Sequence, residues 1–193
     1  MRDHINSYLG RLQGALTNIP ADHVTECSER LYRAYQDGKQ VFVLGNGGSA
    51  STASHMAADL AKNTIGPNMR RFRILSLNDN MALLTALSND LGYRRVFAEQ
   101  LMNLIRPGDV LVAISGSGNS SNVVEAIEYA RSQSAQVVGL LGFGGGLAAP
   151  LCDTAVIVDS SDYGVIEDAH LVLNHILVEY FRERLFRERP SHI

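Results

Sequence analysis

The stretch Gln40-Val-Phe-Val-Leu44, followed at once by Gly45-Asn-Gly-Gly-Ser49, sets the architecture. Five residues rich in β-branched and aromatic side chains form a short apolar run that reads as a buried strand. The glycines that follow make it a strand running into a loop, with a helix beginning near Ser49. Similar short runs recur at Phe72–Leu77, Asp109–Ser115, Gln136–Leu141 and Thr154–Asp159. Between them lie helical segments near 49–63, 80–104, 119–133 and 164–188. Strand and helix alternate, so the chain is expected to form an α/β three-layer sandwich around a five-stranded parallel sheet. Residues 2–37 precede the first strand. Leu9, Leu12, Leu16 and Ile19 recur at helical spacing, Pro20 breaks the pattern, and Val24, Leu31 and Tyr35 continue it to Asp37-Gly38. An apolar face on these N-terminal helices suits oligomer packing and intrachain packing equally. With no repeat and no long linker, residues 1–193 read as one domain.

Composition narrows the function classes. The chain has 193 residues, 46% of them apolar and 19% charged, enough to bury a core. Seventeen Lys and Arg against 20 Asp and Glu give a net charge of -3, which argues against a nucleic-acid partner. No apolar run reaches the roughly 20 residues of a membrane span, and MRDHINSYLG is too polar for a signal peptide. Cys27 and Cys152 stand far apart, outside any CxxC pattern, and read as reduced thiols of a cytoplasmic protein.

Two loops stand out. Gly45–Ser49 offers a close backbone approach and a helix N-terminus to an anion, though a turn that is Gly-rich for steric reasons fits as well. It is neither a dinucleotide fingerprint nor a P-loop, since no Lys follows. The second loop, Ser115-Gly-Ser-Gly-Asn-Ser-Ser121, follows another strand. Its hydroxyls at Ser115, Ser117 and Ser120 suit a phosphate, or the loop is a turn with a serine helix cap. Two such loops at the carboxyl ends of strands point to a ligand, because open α/β sheets bind ligands there.

Two helices carry residues with ligand chemistry. His55 and Asp59, four residues apart, lie on one helix face and read as a ligand pair or as a surface ion pair. The last helix holds Glu167, Asp168, His170 and His175. Glu167 and His175 differ by about 80° and some 12 Å along the axis, so they line one side of a cleft but do not readily share one ion. His175, in an apolar stretch, is either a satisfied core histidine or a group facing a site. Pairing with Glu167 three residues away is the simpler account of His170.

In this order, GNGGS, His-x-x-x-acid, SGSGNS and a last helix with an acid and a histidine, the sequence resembles the sugar isomerase (SIS) domain family, of the phosphoheptose isomerase type. The resemblance spans the chain to about Arg184. It implies that Asn46, Gly47, Gly48 and Ser49 form the first substrate loop and that Asn89 and Asp90 touch sugar hydroxyls. It likewise implies that Ser115, Gly116, Ser117 and Ser120 form the phosphate loop, with Glu167 also at the substrate. Zinc ligands would fall on His55, Asp59, Glu167 and His175, with Asp59 and His175 as acid/base residues. The activity implied is conversion of sedoheptulose 7-phosphate to D-glycero-D-manno-heptose 7-phosphate through an enediol, in a homotetramer whose interface uses the N-terminal helices. Four positions depart from the family's pattern: Asp59 replaces Glu, Glu167 replaces Gln, Gly116 replaces Thr and Gly164 replaces Asp. The alternative is a non-catalytic SIS module that binds phosphosugar or a replication initiator. The initiator-binding relative keeps the SIS loops but lacks the acid and the last histidine, both present in this chain.

Overall fold

The computed structural model describes residues 1–67 and 69–187; the last residue of the helix expected over 164–188 lies outside them. Helices α1 (Arg2–Thr17) and α2 (Ala21–Asp37) come first, and Pro20 with its fixed φ sits between them as the cap of α2. Gly38, in the left-handed conformation at φ 66°, closes α2 by donating to the Ala34 and Tyr35 carbonyls. Strand β1 (Val41–Gly45) and helix α3 (Gly48–Asn63) follow, then β2 (Ile74–Ser76), α4 (Met81–Leu91) and α5 (Val96–Leu104). The chain continues through β3 (Val110–Ser115), α6 (Ser121–Ser132), β4 (Gln136–Leu141), β5 (Thr154–Ile157) and α7 (Tyr163–Arg187).

All strand pairs are parallel, in the order β2-β1-β3-β4-β5. The chain reverses direction across the sheet between β1 and β3, so the loops that leave these two strands part to opposite faces. A crevice opens between them. Alternation along β1 divides the core. Val41 and Val43 join Leu31, Met56, Leu173 and Phe181 on the face covered by α2, α3 and α7. Phe42 and Leu44 join Phe97, Leu101, Ala126 and Ile127 under α5 and α6 on the other.

Two expectations change. The segment 80–104 is not one helix: Gly92, at φ 86° and ψ 151°, ends α4, and a 3-10 turn (Tyr93–Arg95) redirects the chain into α5. A glycine takes that conformation without steric cost and cannot propagate the helix. Strand β2 is shorter than Phe72–Leu77, as befits an edge strand flanked by exposed Arg71 and Arg73. Helix α4 buries none of its residues, although Met81 and Leu91 are strongly exposed apolar groups.

Candidate active site

The loops after β1 and β3 meet at the crevice. Asn46 and Asn122 exchange a reciprocal pair of amide hydrogen bonds, 2.8 and 2.9 Å, which ties the first loop to the start of α6. The Tyr93 hydroxyl donates to Asn46 Oδ1 at 2.7 Å. In the second loop, Ser115 Oγ accepts the Gly118 N–H at 3.1 Å and Ser117 Oγ accepts the Asn119 N–H at 3.1 Å. These are self-contained turns, and they hold the loop open at the helix end. Gly118 has φ 64°, and a Cβ there would stand 2.1 Å from the Gly145 carbonyl oxygen. The loop therefore packs directly on the backbone of the glycine run after β4, where the Ala148 N–H donates to the Gly118 carbonyl at 2.9 Å.

A cavity of about 110 Å³ results, lined by Asn46, Ser49, Ser115, Gly116, Ser117, Ser120, Tyr163 and Glu167. Its lining offers hydroxyls, an amide and the N-terminus of α6 but no Lys or Arg, so an anion there would rely on neutral donors and the helix dipole. Helix α7 enters this wall at Tyr163. The Asp162 carboxylate accepts the Gly164 N–H at 2.9 Å and that of Val165 at 3.4 Å, and these bonds hold its pKa below the usual carboxylate range. Tyr163 packs on Phe143 at a tilt of 50°, with ring centroids 4.7 Å apart, and its ring edge lies 3.0 Å from where a Gly116 side chain would begin. The Glu167 carboxylate lies against Gly48 so closely that any side chain at 48 would collide with it.

Helices α3 and α7 run side by side away from this cavity, and further along them stands a second group. His55, Asp59 and His175 each offer a ligand atom, all within 4.8 Å of one another. His55 Nε2 lies 3.1 Å from Asp59 Oδ2, and the two imidazoles meet edge to face at 5.2 Å between centroids. Asn63 Nδ2 donates to Asp59 Oδ1 at 3.2 Å, and Asn174 Nδ2 donates to Asp59 Oδ2 at 3.4 Å. These side chains open into a shallow cavity of about 390 Å³. Two imidazoles and one carboxylate converging from two helices form a donor set of the kind that holds zinc with a position left for a substrate.

The structure thus brings Asn46, Ser49, Ser115, Gly116, Ser117, Ser120 and Glu167 together at one end, with Gly48 against Glu167. His55, Asp59 and His175 meet at the other. Gly47, at φ 55°, shapes the first loop beside open space. Glu167 does not join the His55–Asp59–His175 group, because two turns of α7 separate it from His175 and its carboxylate faces the serine cavity. Asn89 and Asp90 are exposed on α4 and bonded to each other at 2.8 Å, and neither lines the two cavities described. His175 is exposed toward its cavity and is not a core histidine. His170 does not pair with Glu167. It is fully buried, with Nε2 3.2 Å from the Leu141 carbonyl oxygen, and burial pushes its pKa down to about 4.

Residue patterns in the sequence do not single out Asn122, Tyr163, Asn63 or Asn174. Asn174 does carry a signal, being a second polar residue in the apolar stretch around His175.

A family model described as SIS domain matches residues 6–142. The phosphoheptose isomerase of Nitratiruptor sp. is 38% identical over 186 residues, covering 95% of this chain and 99% of that protein. That of Trichlorobacter lovleyi is 36% identical over 170 residues, covering 84% and 83%. The solved phosphoheptose isomerase of Neisseria gonorrhoeae superposes with a TM-score of 0.86 at 29% identity, covering 94% of this chain and 96% of that one.

Proposed function

The chain belongs to the SIS-domain family, in its phosphoheptose isomerase branch, and from that premise we propose that it interconverts sedoheptulose 7-phosphate and D-glycero-D-manno-heptose 7-phosphate. The observation that carries this reading is the pair of sites along α3 and α7, a cation-free serine cavity near their N-termini and an acid with two imidazoles further along. A substrate with phosphate on its last carbon and the reacting carbonyl near its first needs two such stations, well apart.

The phosphate oxygens accept from the hydroxyls of Ser115, Ser117 and Ser120 and from the N–H groups opening α6. Glu167, facing the same cavity, accepts from sugar hydroxyls and orients the chain toward His175. His175 acts as general base, removing a proton from C1 of the ketose and returning it to C2. The Asp59 carboxylate takes the proton from O1 and passes it to O2, so the enediol forms and collapses with no net proton change. Both groups sit on rigid helices, which fixes the geometry of transfer. His55, Asp59 and His175 fit zinc, and when bound it would supply Lewis-acid polarisation of the carbonyl. The exposed apolar residues of α1 and α4, Leu9, Met81 and Leu91 among them, support assembly into a homotetramer. Among the described residues no helix is long and apolar enough to cross a membrane, and together with the two thiols this supports a cytoplasmic location.

The direct test incubates the purified protein with sedoheptulose 7-phosphate, with and without zinc, and follows the aldose product. Turnover is expected. Binding of the sugar phosphate without any aldose would instead indicate a non-catalytic module.

A further inference from the structure

Among the described residues, two buried side-chain atoms lack a hydrogen-bond partner, His170 Nδ1 and Asn174 Oδ1. Both residues have 0% of their surface exposed. They stand four residues apart on α7, which puts them on one face with Cβ atoms about 5–6 Å apart. An unpaired buried acceptor is costly enough that two neighbouring ones call for a shared explanation.

The chemistry of their other contacts fixes what each atom can do. The Leu141 carbonyl oxygen only accepts, so His170 Nε2 carries the proton and donates to it across 3.2 Å. The ring is neutral in its buried setting, so Nδ1 presents a lone pair. The Asp59 carboxylate likewise only accepts, so the Asn174 amide turns Nδ2 toward it and Oδ1 away. Two unpaired acceptors therefore stand one helical turn apart on the same face of α7. A single water has two O–H donors, one for each.

We propose that Asn174 is a positioning residue for Asp59, its amide locked by one buried water that donates to both His170 Nδ1 and Asn174 Oδ1. Flipping the amide would set Oδ1 against the carboxylate and forfeit the bond from the water, so the donor stays aimed at Asp59. Asp59 Oδ1 is held by Asn63 from its own helix, and Oδ2 by His55, also on α3, and by Asn174. Of these three partners Asn174 alone comes from α7, and it is the residue beside His175. It thereby fixes the carboxylate relative to the helix that carries the second acid/base group. The role in turnover rests on the isomerase reading above; the contact itself does not.

Two measurements on the full chain test this. In the first, nitrogen-15 spectra of the wild type are expected to show His170 protonated at Nε2 only. They should also show an Asn174 side-chain amide proton protected from exchange, with the protection lost in Asp59→Ala. In the second, Asn174→Leu, which removes both the amide and its buried acceptor, is expected to lower kcat about 10–100-fold. Its KM should stay within about twofold of wild type and its Tm should be no lower. A purely structural Asn174 would give the opposite split, a lower Tm with kcat retained. The proposal is overturned if Asn174→Leu keeps kcat within about twofold of wild type. It is equally overturned if the amide proton is unprotected or indifferent to Asp59→Ala. Should the wild type show no turnover of sedoheptulose 7-phosphate, the isomerase reading falls. The exchange measurement then still decides the contact, as it does if Asn174→Leu does not fold.

Discussion

The serine cavity and the His55–Asp59–His175 group stand at different points along the α3–α7 pair and are held by different means. The cavity is held by backbone packing and by bonds between its two loops. Ser115 and Ser49 are buried, the SGSGNS loop lies directly on the glycine run after β4, and the Asn46–Asn122 pair joins its two walls. At the other end, side chains alone do the holding, and the His55 side chain is 44% exposed. On the proposed reading, binding belongs to loops that the sheet fixes and chemistry to contacts between two helices. Substitutions should separate the two.

The largest effect is expected at the open end. His175→Gln or Asp59→Asn should cut kcat by about 10²–10⁴-fold while sugar-phosphate affinity stays within a few-fold, as read by steady-state kinetics and calorimetry. Near wild-type rates in both variants would remove these residues from the chemistry.

Between the two ends lies His170, whose burial predicts a pH effect on stability. Its pKa is lowered from 6.5 to about 4, so the unfolded chain binds the proton more readily than the folded one. Its stabilising effect is complete above pH 6.5 and is lost as pH falls toward 4, by about 3 kcal/mol. Urea unfolding across that window checks it, and His170→Phe should flatten the acid limb. An unchanged slope in that variant would show that other groups govern it.

At the closed end, Gly118→Ala forces a Cβ against the Gly145 carbonyl in a left-handed backbone conformation. A loss of about 1–3 kcal/mol is expected, with a raised KM and little change in kcat. Gly116→Thr would collide with the Tyr163 ring and should also raise KM, by displacing that ring from the cavity wall. A variant with wild-type KM would mean that Tyr163 does not shape the site. The smallest effect belongs to Arg11→Ala. Its ion pair with Asp162, 3.1 Å long, joins side chains 46% and 39% exposed, so thermal unfolding should register less than about 1 kcal/mol.

Much of the fold is legible in the amino-acid sequence alone. Alternation of apolar runs with helical spacing is a local property, so the five strands and the parallel sheet follow from it. The glycine loops after β1 and β3 are legible for the same reason, because turn chemistry is written into consecutive residues. The break at Gly92 is not, since helical spacing runs through 80–104 and only the backbone conformation shows the turn.

Residue types alone make His55, Asp59 and His175 candidates, and the resemblance groups them. What the sequence does not decide is which partners each meets. Glu167 and His170 lie three residues apart on one helix, yet one faces the serine cavity and the other the Leu141 carbonyl. Asn174 reads as an ordinary interruption of an apolar run until α3 lies beside α7 and puts Asp59 in its reach. Periodicity fixes the face of a helix on which a residue stands. Only the packing of one helix on another fixes what stands opposite, and both the site and its support are made of such meetings.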